Sequence, residues 1–139
     1  MRFEFICIAT VALFWGGYPL VARSTGVGGP LGALILTLAG LVPILTAVIW
    51  QGGALRPTAA EIVRLLIAGV MMGIGLIAFN AVANSKNMEA SISIPIIDTS
   101  MLIVSVLGAM LFFAEPVSGK KLIGLALLIA GIVVLKPEA

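Results

Sequence analysis

The sequence predicts an all-α, polytopic membrane protein with five transmembrane helices. Three observations predict it. Five apolar stretches follow one another with only short polar gaps, at Phe5–Ala22, Leu31–Trp50, Leu65–Asn84, Ala90–Ala114 and Leu122–Leu135. Each run is continuously apolar, where a membrane β-strand would alternate apolar and polar residues over about ten positions. The chain is 61% hydrophobic and 10% charged, with a mean hydropathy of +1.24, whereas soluble domains carry about a quarter charged residues. A helix satisfies its own backbone groups inside hydrocarbon, so continuous runs are read as spanning helices. These are expected over about 5–22, 31–50, 62–84, 90–114 and 119–136, in a single domain covering residues 1–139. Met1 and the polar tail at 136–139 read as the ends of a complete product.

The first run could pass for a signal peptide because Arg2 precedes it. It is longer than an ordinary signal core, Glu4 stands in front of it, and no small-residue cleavage site follows before Arg23, so it is expected to be retained. Trp15, Gly16, Gly17, Tyr18 and Pro19 form a break within it. Pro19 cannot donate to the carbonyl of Trp15, and the glycines allow bending or close approach. Trp15 and Tyr18 suit either an interfacial aromatic belt or a solute pocket, and both readings stay open. Cys7 is the single cysteine and there is no histidine, which excludes an internal disulfide and leaves no Cys/His metal site. Cys7 reads as a small apolar residue.

The gap Ser24–Pro30 is Gly-rich but lacks the phosphate-loop pattern and follows no strand, so it reads as a connecting loop. Trp50 closes the second run as a belt residue. The gap Gln51–Ala60 is broken by Pro57. At the start of the third helix Arg64 is expected to extend toward the headgroups and to pair with Glu61 three residues earlier. Gly69 and Gly73 form a small-residue face suited to close helix packing. Asn80 and Asn84 lie one turn apart near its end. An amide is costly in hydrocarbon unless it is partnered, so they should hydrogen-bond within the bundle or contact a solute.

The fourth run contains Asp98, about 12 Å along the helix from Ala90 at about 1.5 Å per residue. An ionised carboxylate there costs at least about 2.5 kcal/mol on insertion scales, so it should face a bundle interior or a wet cavity. Ser91, Asp98 and Ser105 recur by sevens on one side, with Thr99 and Ser100 adjacent. Pro95 frees the carbonyl of Ser91 beside them and should kink the helix. That patch is a candidate solute or proton site, the alternative being an interfacial Asp98 paired with a neighbouring cation. Pro116 ends the fourth helix, and Ser118 is placed to cap the fifth. The two should form a tight antiparallel pair. The fifth run has only fourteen uncharged residues, but Lys120, Lys121 and Lys136 can reach outward from its ends. Gly124 and Gly131 repeat by seven on it as a second packing face.

Charge placement bears on orientation. With the N-terminus inside, Arg2, Arg56, Arg64, Lys120 and Lys121 face the cytoplasm, and Arg23, Lys86 and Lys136 face outward. Five against three favours a cytoplasmic N-terminus but leaves dual insertion open. A net charge of +2 without a basic patch excludes nucleic acid as a partner. No nucleophile stands with a base, no carboxylates are paired, and no metal cluster is present, so neither an enzyme nor a cofactor or metal is expected.

The stretch Ser91–Leu135, SISIPIIDTSMLIVSVLGAMLFFAEPVSGKKLIGLALLIAGIVVL, resembles the second part of an EamA domain of the drug/metabolite transporter superfamily. Glu115 stands at the family's helix-ending glutamate, and Ile123, Gly124, Leu127, Leu128, Gly131 and Val133 fit its closing helix. The opening helix, ALFWGGYPLVARS, is similar to the family's WG-containing span. Two positions depart from that pattern: Leu102 stands where the family commonly has a proline, displaced here to Pro95, and Asp98 is not a family residue.

The resemblance implies one five-span half of an inverted-repeat transporter whose common form has two such halves with solute bound between them. An odd number of spans places the termini on opposite membrane faces, so duplication inverts the repeat. A lone half then implies a homodimer, antiparallel or otherwise, or a heterodimer with a sister half. The expected function is secondary transport of small organic metabolites across the cytoplasmic (inner) membrane, with membrane lipids and a small solute as partners. Tentative solute-contacting residues are Asp98, Trp15, Tyr18, Asn80, Asn84, Ser91 and Ser105. Pro95, Gly69, Gly73, Gly124, Gly131 and Glu115 are expected to be structural. The alternative is a non-transporting subunit, such as a flippase partner for lipid-linked sugars or an assembly factor.

Overall fold

The computed structural model describes residues 2–52 and 56–135, and the fold is all-α. Lys136 and the tail lie outside the described residues, as does the side chain of Arg2. The helices are α1 (Arg2–Ser24), α2 (Gly29–Trp50), α3 (Ala59–Ala83), α4 (Ala90–Phe112) and α5 (Gly119–Leu135). Four of them, α1 to α4, are long and apolar enough to cross a bilayer. The 17 residues of α5 rise only about 25 Å at about 1.5 Å each, a little short of a bilayer core of about 30 Å.

The ends of the helices differ from the hydropathy boundaries for local reasons. α2 begins two residues early because Pro30 sits in its first turn, where its missing N–H costs nothing and its fixed φ suits a helix. α3 begins at Ala59, not 62, because Thr58 and Glu61 form a capping box. The Thr58 side chain accepts from the Glu61 N–H, and the Glu61 carboxylate accepts from the Thr58 N–H at 2.7 Å and the Thr58 hydroxyl at 2.8 Å. That occupies Glu61, and no Glu61–Arg64 ion pair forms among the described residues. α4 stops at Phe112, two residues before the expected end, since Ala114 takes a left-handed φ of 50° ahead of Pro116. Ser118 does cap α5, its hydroxyl accepting from the Lys121 N–H at 3.3 Å.

None of the prolines within a helix breaks it: α1 runs on through Pro19, α2 through Pro43 and α4 through Pro95. Pro95 lies in the second turn of α4, so most of the backbone ladder follows it undisturbed.

The chain divides into two compact units. In the first, residues 1–85, α3 packs along α2 and also touches α1. In the second, residues 86–139, α4 packs against α5. Very little apolar surface is buried: among the described residues the buried hydrophobic side chains are Ala33 and Ala83 in the first unit and Ile94 in the second. Phe14, Trp50, Leu111 and Phe112 stand exposed, Trp50 at 89%. Water would penalise such a surface, whereas hydrocarbon does not.

Nothing lies within 4 Å of where a Cβ would stand on Gly69, Gly73, Gly124 or Gly131. The close helix packing expected there is not made among the described residues of one chain.

Candidate functional site

The most closely knit polar region of the first unit joins the end of α3 to the end of α1 and the start of α2. Asn80 is only 1% exposed. Its Nδ2 donates to the Leu76 carbonyl at 3.4 Å, and Asn84 Nδ2 donates to the Asn80 carbonyl at 3.0 Å and to Asn80 Oδ1 at 3.3 Å. The expected pairing within the bundle is therefore a ladder along one helix. The remaining acceptor, Asn84 Oδ1, is buried and receives no hydrogen bond from the described residues.

The ladder is held close to the α1–α2 loop by two glycines. A Cβ on Gly28 would lie 2.9 Å from Asn84 Cβ and 3.2 Å from the Asn80 carbonyl. On Gly32 it would lie 2.6 Å from the Val27 carbonyl and 3.4 Å from Asn80 Oδ1. From α1, Arg23 Nη1 donates to the Ala83 carbonyl at 2.7 Å. Ala83 is the last residue of α3, where carbonyls lack intrahelical partners, so the guanidinium both satisfies that acceptor and complements the negative end of the helix.

One turn back along α1, Tyr18 stacks at a tilt on Phe79 of α3, ring centroids 5.8 Å apart, and meets Trp15 edge-on at 6.4 Å and 82°. Tyr18 is half-buried, while Trp15 is 62% exposed. The exposed part of this aromatic cluster can hold a cationic organic group by cation–π attraction, while Asn80 and Asn84 Oδ1 beneath it are buried.

The second unit presents a different picture. Asp98 is half-buried on α4, and its carboxylate makes no hydrogen bond or ion pair with a described residue. Ser91 and Ser105 share its side of the helix by spacing, but neither is bonded to it. The Ser91 hydroxyl donates to Glu89 Oε2 at 3.3 Å, and Ser105 donates to the Met101 carbonyl at 2.9 Å. Ser93 is fully buried, and its hydroxyl has no partner among the described residues. Glu115 lies in the α4–α5 connection and accepts from Lys121 Nζ at 2.8 Å, an exposed pair of small energetic weight.

Arg23, Phe79, Gly28, Gly32 and Ser93 were not singled out by the sequence. For Gly28 and Gly32 a signal existed, two small residues four apart beside a helix start, but the loop composition masked it. Arg23 read only as a flanking charge. Phe79 and Ser93 carry no signal in a run of apolar and small residues.

The sequence model of the EamA-like transporter family matches residues 2–136. No curated protein and no solved structure matches the chain.

Proposed function

Because the chain belongs to the EamA-like transporter family and is a multi-pass membrane protein, we propose that it is a secondary transporter of small organic metabolites in the cytoplasmic membrane. It acts as a dimer of five-span halves, with α5 as the fifth span and the N-terminus in the cytoplasm. The family match over nearly the whole chain carries this reading. The Tyr18–Phe79 stack beside the Asn80–Asn84 ladder supports a solute-facing role for the α1–α3 surface. Asp98, with no partner among the described residues, is suited to exchange a coupling proton.

A dimer is supported by what one chain leaves uncovered. Among the described residues nothing stands within 4 Å of where a Cβ would lie on Gly69, Gly73 or Gly131, and few apolar residues are buried. The same uncovered faces favour the second reading, a non-transporting subunit such as a flippase partner for lipid-linked sugars, seated against a larger partner.

The deciding experiment is transport by the purified chain in proteoliposomes under an imposed proton gradient, with a panel of small organic cations, amines and amino-acid derivatives, alongside crosslinking for the dimer. Gradient-driven uptake by a dimeric protein is the expected result. A protein that neither dimerises nor moves any solute overturns the transporter and leaves the subunit reading.

A further inference from the structure

Within the second unit, an open cleft of about 540 Å³ lies along α4 and α5. Val106 and Ala109 of α4 and Gly124, Leu125 and Leu128 of α5 line it, and Glu115 and Lys121 stand together at one end. Its volume falls within the range of about 300–1,000 Å³ typical of ligand clefts. Its chemistry is that of an amphiphile site: an apolar trough with charge at one mouth.

The charged mouth coincides with the start of α5, and with α5 as the fifth span it lies at the depth of the headgroups. Three features there attract an anion. Lys121 is 37% exposed, and its ammonium has three donors, of which Glu115 takes one. Lys120 precedes it, exposed and without an ion-pair partner among the described residues. The first amides of α5 add the positive end of a helix dipole.

We propose that the α4–α5 cleft seats an anionic glycerophospholipid, with an acyl chain along Ala109, Gly124, Leu125 and Leu128 and the phosphate at Lys121 and the start of α5. Gly124 keeps the trough open, since nothing stands within 4 Å of its missing Cβ. Glu115 competes with the phosphate for Lys121 and tempers the affinity. The inference rests on α5 spanning the membrane, as proposed above, but does not require solute movement.

The test is native mass spectrometry of the detergent-purified full chain with dioleoylphosphatidylglycerol or dioleoylphosphatidylcholine added. Phosphatidylglycerol should be retained about five-fold more than phosphatidylcholine, the difference expected for one cation at an anionic headgroup. Lys121→Gln should reduce that preference, Lys121→Arg should keep it, and Glu115→Gln should increase retention of phosphatidylglycerol. Ala109→Phe, which fills the trough, should lower retention with Lys121 in place. Equal retention of the two lipids, or a preference undiminished in Lys121→Gln, overturns the proposal. So does weaker phosphatidylglycerol retention in Glu115→Gln, or displacement of the lipid by tetraphenylphosphonium in a Glu115-dependent way, which would make the cleft a site for lipophilic cations.

Discussion

Gly28 and Asn84 meet so closely that a single added methyl on the glycine would lie 2.9 Å from the asparagine Cβ. The loop after α1 is thereby fixed against the end of α3, and Arg23 ties the same helix end to α1. The junction has no room to yield cheaply, because the next atom met is the Asn80 backbone carbonyl at 3.2 Å.

Gly28→Ala should therefore destabilise the protein by about 1–3 kcal/mol, the usual cost of overpacking. Gly69→Ala, at an open position inside α3, should hold or raise the isolated chain's thermal midpoint, since alanine favours a helix over glycine by up to about 1 kcal/mol. Thermal unfolding in detergent followed by circular dichroism compares the two, and equal midpoints would contradict the packing.

The two asparagines should respond unequally to removal. Asn80 is buried with both its donor and its acceptor engaged, whereas Asn84 already carries an unsatisfied oxygen. Asn80→Ala should cost about 1–3 kcal/mol by emptying a fully buried, hydrogen-bonded site, although Asn84 Nδ2 keeps the Asn80 backbone carbonyl. Asn84→Ala should cost less, since the orphan Oδ1 it removes offsets Asn80 Oδ1, which it leaves without a donor. Midpoints in the reverse order would show that Asn84 Oδ1 is satisfied in the membrane.

Ala114 offers a substitution in the opposite direction. Its φ of 50° places an L-residue in the left-handed region, which costs about 1–2 kcal/mol relative to right-handed backbone. Ala114→Gly should raise the thermal midpoint, with a net gain of about 1 kcal/mol or less once the greater freedom of unfolded glycine is counted. A lower midpoint would indicate that the α4–α5 connection adopts another conformation.

Asp98→Asn tests the coupling role under the transporter reading. The substitution keeps shape and removes the ionisable proton, so solute uptake in proteoliposomes should lose its dependence on the proton gradient. Gradient-dependent uptake at the wild-type rate would remove Asp98 from the mechanism while leaving the transporter intact.

The membrane-spanning helices were legible in the sequence because the free energy of placing a residue in hydrocarbon is a property of that residue and its near neighbours. Helix ends were legible wherever the signal was local: Pro116 stops α4, and the Ser118 hydroxyl caps α5. Even the corrections at α2 and α3 rest on local chemistry, Pro30 in one first turn and Thr58 with Glu61 at the other.

The candidate site was legible only where both partners share a helix. Asn80 and Asn84, one turn apart, could be paired from their spacing, and so could Trp15 and Tyr18. The contacts of Gly28 with Asn84, Arg23 with Ala83 and Tyr18 with Phe79 join residues more than fifty positions apart. No periodicity encodes them. The sequence by itself determined an all-helical membrane chain and its polar residues. Tertiary structure alone decided which of those residues are satisfied, which glycines are pressed against a neighbour and which stay open. Close approach depends on where distant segments meet, and an amide or a glycine reads the same in the chain whether or not another helix lies against it.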